Sequence, residues 1–136
     1  MDLIKDPAVR VFVATGFPQK AEAQRVMQAF RARGATITWD WTNPPSDMDR
    51  KHQAMADAAG VMTADVVLAI MTLPDYEYKG TWTEIGMAIG ARQSILLITP
   101  FVDAGPAKCS KNIYFAHPAL VRVARSVDEF LTLLAA

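Results

Sequence analysis

Two apolar runs, at residues 66–71 and 95–98, contain no polar residue to alternate with the apolar ones. Strands that read this way are covered on both faces, and they occur mainly in parallel sheets packed between helices. Neither run approaches the length of roughly 20 residues that crosses a bilayer. The two runs therefore predict the centre of a parallel sheet in an α/β protein.

Strand and helix patterns alternate along the rest of the chain. The predicted strands are residues 9–14, 36–41, 66–71, 94–99 and 120–123. The predicted helices are residues 23–33 with Gly34 as the helix stop, a helix capped by Ser46 or Asp47 and running to Met62, a helix from Thr81 to about Arg92, and residues 127–134. This alternation favours a single three-layer domain over residues 1–136, flavodoxin-like or Rossmann-like, with a mostly parallel five-stranded sheet.

The composition and the motifs that are missing limit the classes of function open to this chain. Fourteen basic residues balance fourteen acidic ones, so the chain lacks the positive excess of a nucleic-acid surface. One Cys and an N-terminus without a basic, apolar leader predict a cytoplasmic protein with no membrane partner. His52 and His117 are isolated, and there is no phosphate-binding P-loop or dinucleotide fingerprint. The sequence thus predicts no metal and no cofactor.

In parallel sheets of this kind the ligand binds beyond the carboxyl ends of the strands. Thr15, Gly16, Gln19 and Lys20 follow the first strand, where backbone amides and Lys20 could hold a phosphate, although an exposed lysine needs no ligand to explain it. Aromatic residues near strand ends suit stacking on a base: Phe17, Trp39, Trp41, Tyr76 and Tyr78. Trp39 and Trp41 are predicted to share one strand face, where core packing is expected for one of them.

The segment at residues 80–88 carries the strongest chemical signal. Its Glu84 is expected in the first turn of a helix, where free amides and the helix dipole lower the pKa of a carboxylate. Such a carboxylate could stabilise or attack a sugar cation. The same residues also fit a capping box, with Thr81 at the cap. Gly86 and Gly90 each weaken the helix by roughly 1 kcal/mol relative to alanine. Close approach by a backbone or a ligand is one reason for glycine at these positions.

Several segments resemble the nucleoside 2-deoxyribosyltransferase family, including its relatives that hydrolyse nucleoside 5′-monophosphates. They are VFVATGF at 11–17, RGATI at 33–37, ADVV at 64–67, the pattern GT-x-x-E-x-G-x-A at 80–88, and a small-residue turn into 95–98. The resemblance covers most of the chain. It implies a nucleoside or nucleotide as the small-molecule partner and a homo-oligomer, a dimer or larger.

The resemblance also implies site residues. The family's nucleophile is a Glu in this helix pattern, which makes Glu84 the nucleophile. A second carboxylate, eight residues before Asp65, corresponds to Asp57 and would orient the nucleophile or transfer a proton to the departing base. Without the resemblance, we would interpret Asp57 as a solvated helix residue. Asp65 is interpreted as a structural acid at a turn. The predicted substrate contacts are Thr15, Gly16, Phe17, Lys20, Trp41, Gly80, Thr81 and Asn112.

The reaction so implied cleaves an N-glycosidic bond by displacement at C1′, through a transition state resembling an oxocarbenium ion. The loop before Glu84 is longer than in the nucleotide hydrolases, and its acidic residues Asp75 and Glu77 give no unambiguous alignment with the acid of the transferases. Hydrolysis and base exchange therefore both stay open, as do the base, the sugar and the need for a phosphate. Two other functions also stay open: a nucleotide-binding sensor without catalysis, and a flavodoxin-like FMN electron carrier.

Overall fold

The structure, a computed structural model, describes residues 2–136 and contains a five-stranded parallel sheet. Its strands are β1 (Arg10–Ala14), β2 (Thr36–Ile37), β3 (Val66–Ile70), β4 (Ser94–Ile98) and β5 (Leu120–Ala124). The spatial order is β2-β1-β3-β4-β5, and each neighbouring pair is parallel. The predicted flavodoxin-like α/β fold is confirmed. In this strand order the direction of winding reverses between β1 and β3, where such folds bind ligands.

Helices cover both faces of the sheet. They are α1 (Asp2–Lys5), α2 (Lys20–Ala32), α3 (Arg50–Met62), α4 (Lys79–Gly90) and α5 (Val127–Ala135). Because strand side chains alternate between faces, Val11 packs with α2 and α5, whereas its neighbour Phe12 packs with α3 and α4. All of β3 is buried, which explains its unbroken apolar run. Within residues 2–136, no helix has both the length and the apolarity to cross a membrane.

The prediction of a second strand over residues 36–41 is wrong beyond Ile37. Trp39 leaves the sheet and lies against Gly60 of α3, so closely that a β-carbon at Gly60 would be 2.5 Å from it. The indole N–H of Trp41 donates to the Val13 carbonyl at 2.7 Å. The two tryptophans therefore do not share a strand face, because these separate contacts turn the chain over the end of the sheet.

The predicted caps of α3, Ser46 and Asp47, are also wrong. The helix begins at Arg50, and Asp49 caps it by accepting a hydrogen bond from the backbone N–H of His52 at 2.8 Å. An N-cap carboxylate satisfies an amide that the helix itself leaves unpaired, which fixes this start.

Two predictions at loops are confirmed. Gly34, the predicted helix stop, has a φ of 88°, a conformation that suits glycine. Asp65, read as a structural acid, accepts a hydrogen bond from the backbone N–H of Arg10 at 2.9 Å. It thereby joins the entrance of β3 to the start of β1.

Candidate active site

A cavity of about 220 Å³ lies at the carboxyl edge of the sheet, where β1 and β3 end. Its walls combine residues that follow β1, β2 and β3 with residues of α3 and α4. They are Thr15, Gly16, Phe17, Trp41, Asp57, Tyr76, Tyr78, Gly80, Thr81 and Glu84. Most of the predicted site residues therefore meet at the position where this fold binds ligands.

Two carboxyl groups meet in this cavity, Asp57 from α3 and Glu84 from α4. Glu84 is only 9% exposed, and burial raises its pKa well above the usual range. A side-chain hydrogen bond with Asp57 and the negative charge of Asp57 raise it further. Two carboxyl groups can hydrogen-bond to each other only if one of them carries a proton. Burial and the neighbouring Asp57 therefore both favour the protonated form of Glu84.

The expectation of a lowered pKa for Glu84 is wrong, and the position of the helix start explains why. The helix α4 begins at Lys79, after Tyr78 at the cap position, so Glu84 lies beyond the first turn. The influence of the helix dipole falls off within that turn, which leaves burial and Asp57 to set the pKa. Thr81 lies inside the helix, so the capping-box interpretation is also wrong.

Tyr78 supports the wall of the cavity between β3 and α4. It is 1% exposed and has a left-handed backbone conformation, with a φ of 58°. Its hydroxyl accepts hydrogen bonds from the N–H groups of Thr72 and Leu73, at 3.1 and 2.9 Å, and donates to the side-chain carbonyl of Gln19. Burial raises the pKa of Tyr78 to about 12, so this donor keeps its proton. The loop after β3 is thereby tied to the start of α2.

Gln19, which follows β1 as expected from the sequence, supports the cavity from behind without lining it. It is 1% exposed and lies next to α2, where its side-chain amide donates to the Thr72 hydroxyl at 2.7 Å. Its side-chain carbonyl also accepts from the Thr15 hydroxyl at 3.2 Å, and Thr15 in turn bonds the Ile70 carbonyl at 2.6 Å. No motif distinguishes this glutamine from a surface residue, because its partners come from distant parts of the chain.

Aromatic rings form the outer walls. Tyr76 packs so closely on Gly16 that a β-carbon there would lie 2.1 Å from the ring. The Tyr76 and Tyr78 rings meet edge to face, with centroids 4.7 Å apart. Phe17 is 73% exposed, and Trp41 is held by its bond to β1. These flat apolar surfaces suit stacking on a planar ligand.

Two predicted contacts lie outside the cavity. The Lys20 ammonium group is 5.8 Å from the centre of the Phe17 ring, which places it near the aromatic wall without lining the cavity. Asn112 lines a separate surface cavity of about 560 Å³ with Lys108 and other residues. Its side-chain carbonyl accepts a hydrogen bond from the backbone N–H of Tyr114 at 2.9 Å. Across residues 2–136, there is no group of three or more His, Cys, Asp or Glu side chains placed to hold a metal ion.

Comparison with known proteins supports the fold. No protein-family model matches the sequence, and no curated protein matches it. Among solved structures, the chain is similar to the CMP N-glycosidase BcmB of Clostridium botulinum, with a TM-score of 0.65 and 18% identity over 93% of this chain and 98% of that one. It is also similar to a conserved protein from Enterococcus faecalis V583, with a TM-score of 0.58 and 16% identity over 94% and 98%. At such identities the likeness establishes the fold.

Proposed function

We propose that this protein cleaves the N-glycosidic bond of a nucleoside or a nucleoside 5′-monophosphate, with Glu84 as the nucleophile. The observation that carries the proposal is that Asp57 and Glu84 line one cavity, at the edge of the sheet where this fold binds ligands. The likeness to a CMP N-glycosidase supports the reaction class. The resemblance of residues 80–88 to the deoxyribosyltransferase family supports the role of Glu84.

In the first step Glu84 attacks C1′ of the pentose. A bond forms between the Glu84 oxygen and C1′ while the bond from C1′ to the base nitrogen breaks, and its electron pair leaves with the base. Because the raised pKa of Glu84 favours its protonated form, Glu84 first passes its proton to Asp57, which then transfers it to the departing base. One buried carboxyl pair thus supplies both the negative nucleophile and the acid, which a pair with two charges or two protons would not do.

In the second step an acceptor attacks C1′ and releases Glu84. Water as the acceptor gives the free sugar and makes the reaction a hydrolysis, whereas a second base gives base exchange. Asp57 takes the proton from the attacking water, which returns the pair to its starting state. The two steps invert C1′ twice, so the product keeps the configuration of the substrate.

The aromatic walls supply the binding surface in this proposal. Phe17, Trp41 and Tyr76 border the cavity and suit a stacked base. Lys20 lies beside Phe17 and would attract a 5′-phosphate at the mouth. Gly80 has no heavy atom within 4 Å of the position its β-carbon would take, so this edge of the cavity is open to a ligand.

The test is release of free base, followed by chromatography, from ribo- and deoxyribonucleosides and their 5′-monophosphates, with and without an acceptor base. We expect wild-type activity on at least one substrate, a loss of roughly 10³-fold or more for Glu84→Gln, and roughly 10²-fold for Asp57→Asn. The matched controls Glu129→Gln and Asp47→Asn change exposed residues and should keep wild-type rates.

Two outcomes would overturn the proposal: no base release from any substrate, or a Glu84→Gln variant as fast as wild type. Nucleotide binding without base release would instead favour the sensor function.

A further inference from the structure

The hydroxyl of Thr81 is a buried polar group without a partner. Thr81 is 1% exposed, and its Oγ1 makes no hydrogen bond within the described part of the chain. A buried hydroxyl left unpaired costs about 1–3 kcal/mol, so buried polar groups are nearly always satisfied. Thr83, on the same helix, shows the usual solution, because its hydroxyl donates to the Lys79 carbonyl at 3.2 Å.

The position of Thr81 shows where the missing partner would come from. Thr81 lines the same cavity as Asp57 and Glu84. It precedes Glu84 by three residues on α4, and side chains with this spacing are neighbours on a helix, with β-carbons about 5–6 Å apart. A ligand atom that reaches Glu84 therefore brings its neighbouring atoms close to Thr81.

We propose that Thr81 recognises the 2′-hydroxyl of the pentose and makes the enzyme selective for ribose over 2′-deoxyribose; this inference rests on the proposed function. Glu84 reacts with C1′ there, and the hydroxyl on the adjacent carbon C2′ is the closest sugar group that both donates and accepts hydrogen bonds. A threonine hydroxyl also does both. Hydrogen bonds to this hydroxyl strengthen in the transition state of glycoside cleavage, so the selectivity belongs mainly to kcat.

The hydroxyl of Thr81 is also better explained by a ligand than by folding. A hydroxyl kept for packing could be replaced by a methyl group at no loss, and removing an unpaired buried hydroxyl stabilises the free protein. We therefore expect Thr81→Val to have a melting temperature equal to or above that of wild type. A variant that keeps its fold while losing selectivity separates recognition from structural support.

The experiment measures kcat and KM for matched ribo- and 2′-deoxyribonucleotides in wild type, Thr81→Val, Thr81→Ser and the control Thr83→Val. We expect wild type to prefer ribose by about 10-fold or more, and Thr81→Val to lower that preference about 10-fold, chiefly through kcat on the ribose substrate. Thr81→Ser keeps the hydroxyl and should retain most of the preference. Thr83→Val should match wild type.

The result separates this inference from the proposed function. If wild type releases base but prefers deoxyribose, or if Thr81→Val slows both sugars equally, the role of Thr81 is wrong and the proposed reaction stands. If wild type releases no base from any nucleotide, the proposed function is wrong and the inference falls with it.

Discussion

Glu84 lies on a helix whose dipole favours a charged carboxylate near its start, yet burial and the neighbouring Asp57 raise its pKa. The residue type and its position along the chain were predictable from the sequence, because the spacing at residues 80–88 resembles that of a known family. The direction of the pKa shift of Glu84 was not predictable from the sequence. It depends on the start of α4 at Lys79 instead of Thr81, and on the packing of α3 beside α4, which places Asp57 and Glu84 on one cavity.

The raised pKa of Glu84 predicts that this residue lowers the stability of the folded protein as the pH rises. A glutamate in the unfolded chain has a pKa near 4.5, whereas folded Glu84 titrates far above that value. Between these two pKa values the folded state keeps a proton that the unfolded state releases. The free energy of unfolding is therefore highest below about pH 4.5, where Glu84 is protonated in both states. It falls by up to about 1.4 kcal/mol per pH unit as the pH rises toward the folded pKa.

Glu84→Gln keeps a hydrogen-bonding partner for Asp57 but has no proton to lose. Its melting temperature relative to wild type should therefore increase steadily between about pH 5 and pH 8, as followed by differential scanning fluorimetry. The exposed control Glu129→Gln should show no such trend. A difference between Glu84→Gln and wild type that stays constant over this range would show that the pKa of Glu84 is not raised in the folded protein.

Among the elements, β1, β3, β4 and β5 were each predicted to within one residue at either end. The predictions for β3 and β4 each extend one residue beyond the observed ends, at Ile70 and Ile98, because a strand covered on both faces leaves an unbroken apolar run. The edge strand β2 was predicted too long, since Trp39 and Trp41 continue its pattern while packing elsewhere. A local pattern does not reveal which distant residues such side chains contact.

The loop between β3 and α4 depends on Tyr78, and Tyr78→Phe should weaken it. The change removes the acceptor for two backbone N–H groups and the donor to Gln19. We expect the free energy of unfolding, measured by urea denaturation, to drop by about 2 kcal/mol. The control Tyr114→Phe, at a side chain that is 49% exposed, should change it by less than about 0.5 kcal/mol. Equal stabilities for the two variants would show that the Tyr78 hydroxyl does not hold the loop.

At the scale of the whole molecule, the alternation of strands and helices was enough to predict the sheet, its layers and its ligand-binding edge. The assembly was predicted only from the family resemblance. We propose the exposed side of α3 as the interface, because Met55 and Met62, seven residues apart on this helix, are 59% and 54% exposed. Gly86 and Gly90 of the adjoining α4 have no atom within 4 Å of the position of an added β-carbon. Packing within the chain therefore does not explain these glycines.

A second copy of the chain covering this face would bury both methionines and use the close approach that the glycines permit. We expect light scattering after size-exclusion chromatography to give at least twice the 14.9 kDa mass of one chain. Replacing Met55 and Met62 together with lysine should give the monomer, because a buried charge opposes association. Val102→Lys, at a residue exposed to 59% in another loop, should leave the assembly intact. A monomeric wild type at tens of micromolar would contradict this expectation.

The central claim is that Glu84 forms a covalent bond with C1′ of the sugar. The most direct measurement uses a 2′-fluorinated analogue of whichever substrate releases base, since fluorine at C2′ slows the breakdown of a glycosyl ester. Intact-protein mass spectrometry should then show the added mass of one fluorinated sugar unit, located by peptide mapping on Glu84 and absent from Glu84→Gln. Base release with no adduct, or an adduct on a different residue, would contradict the account.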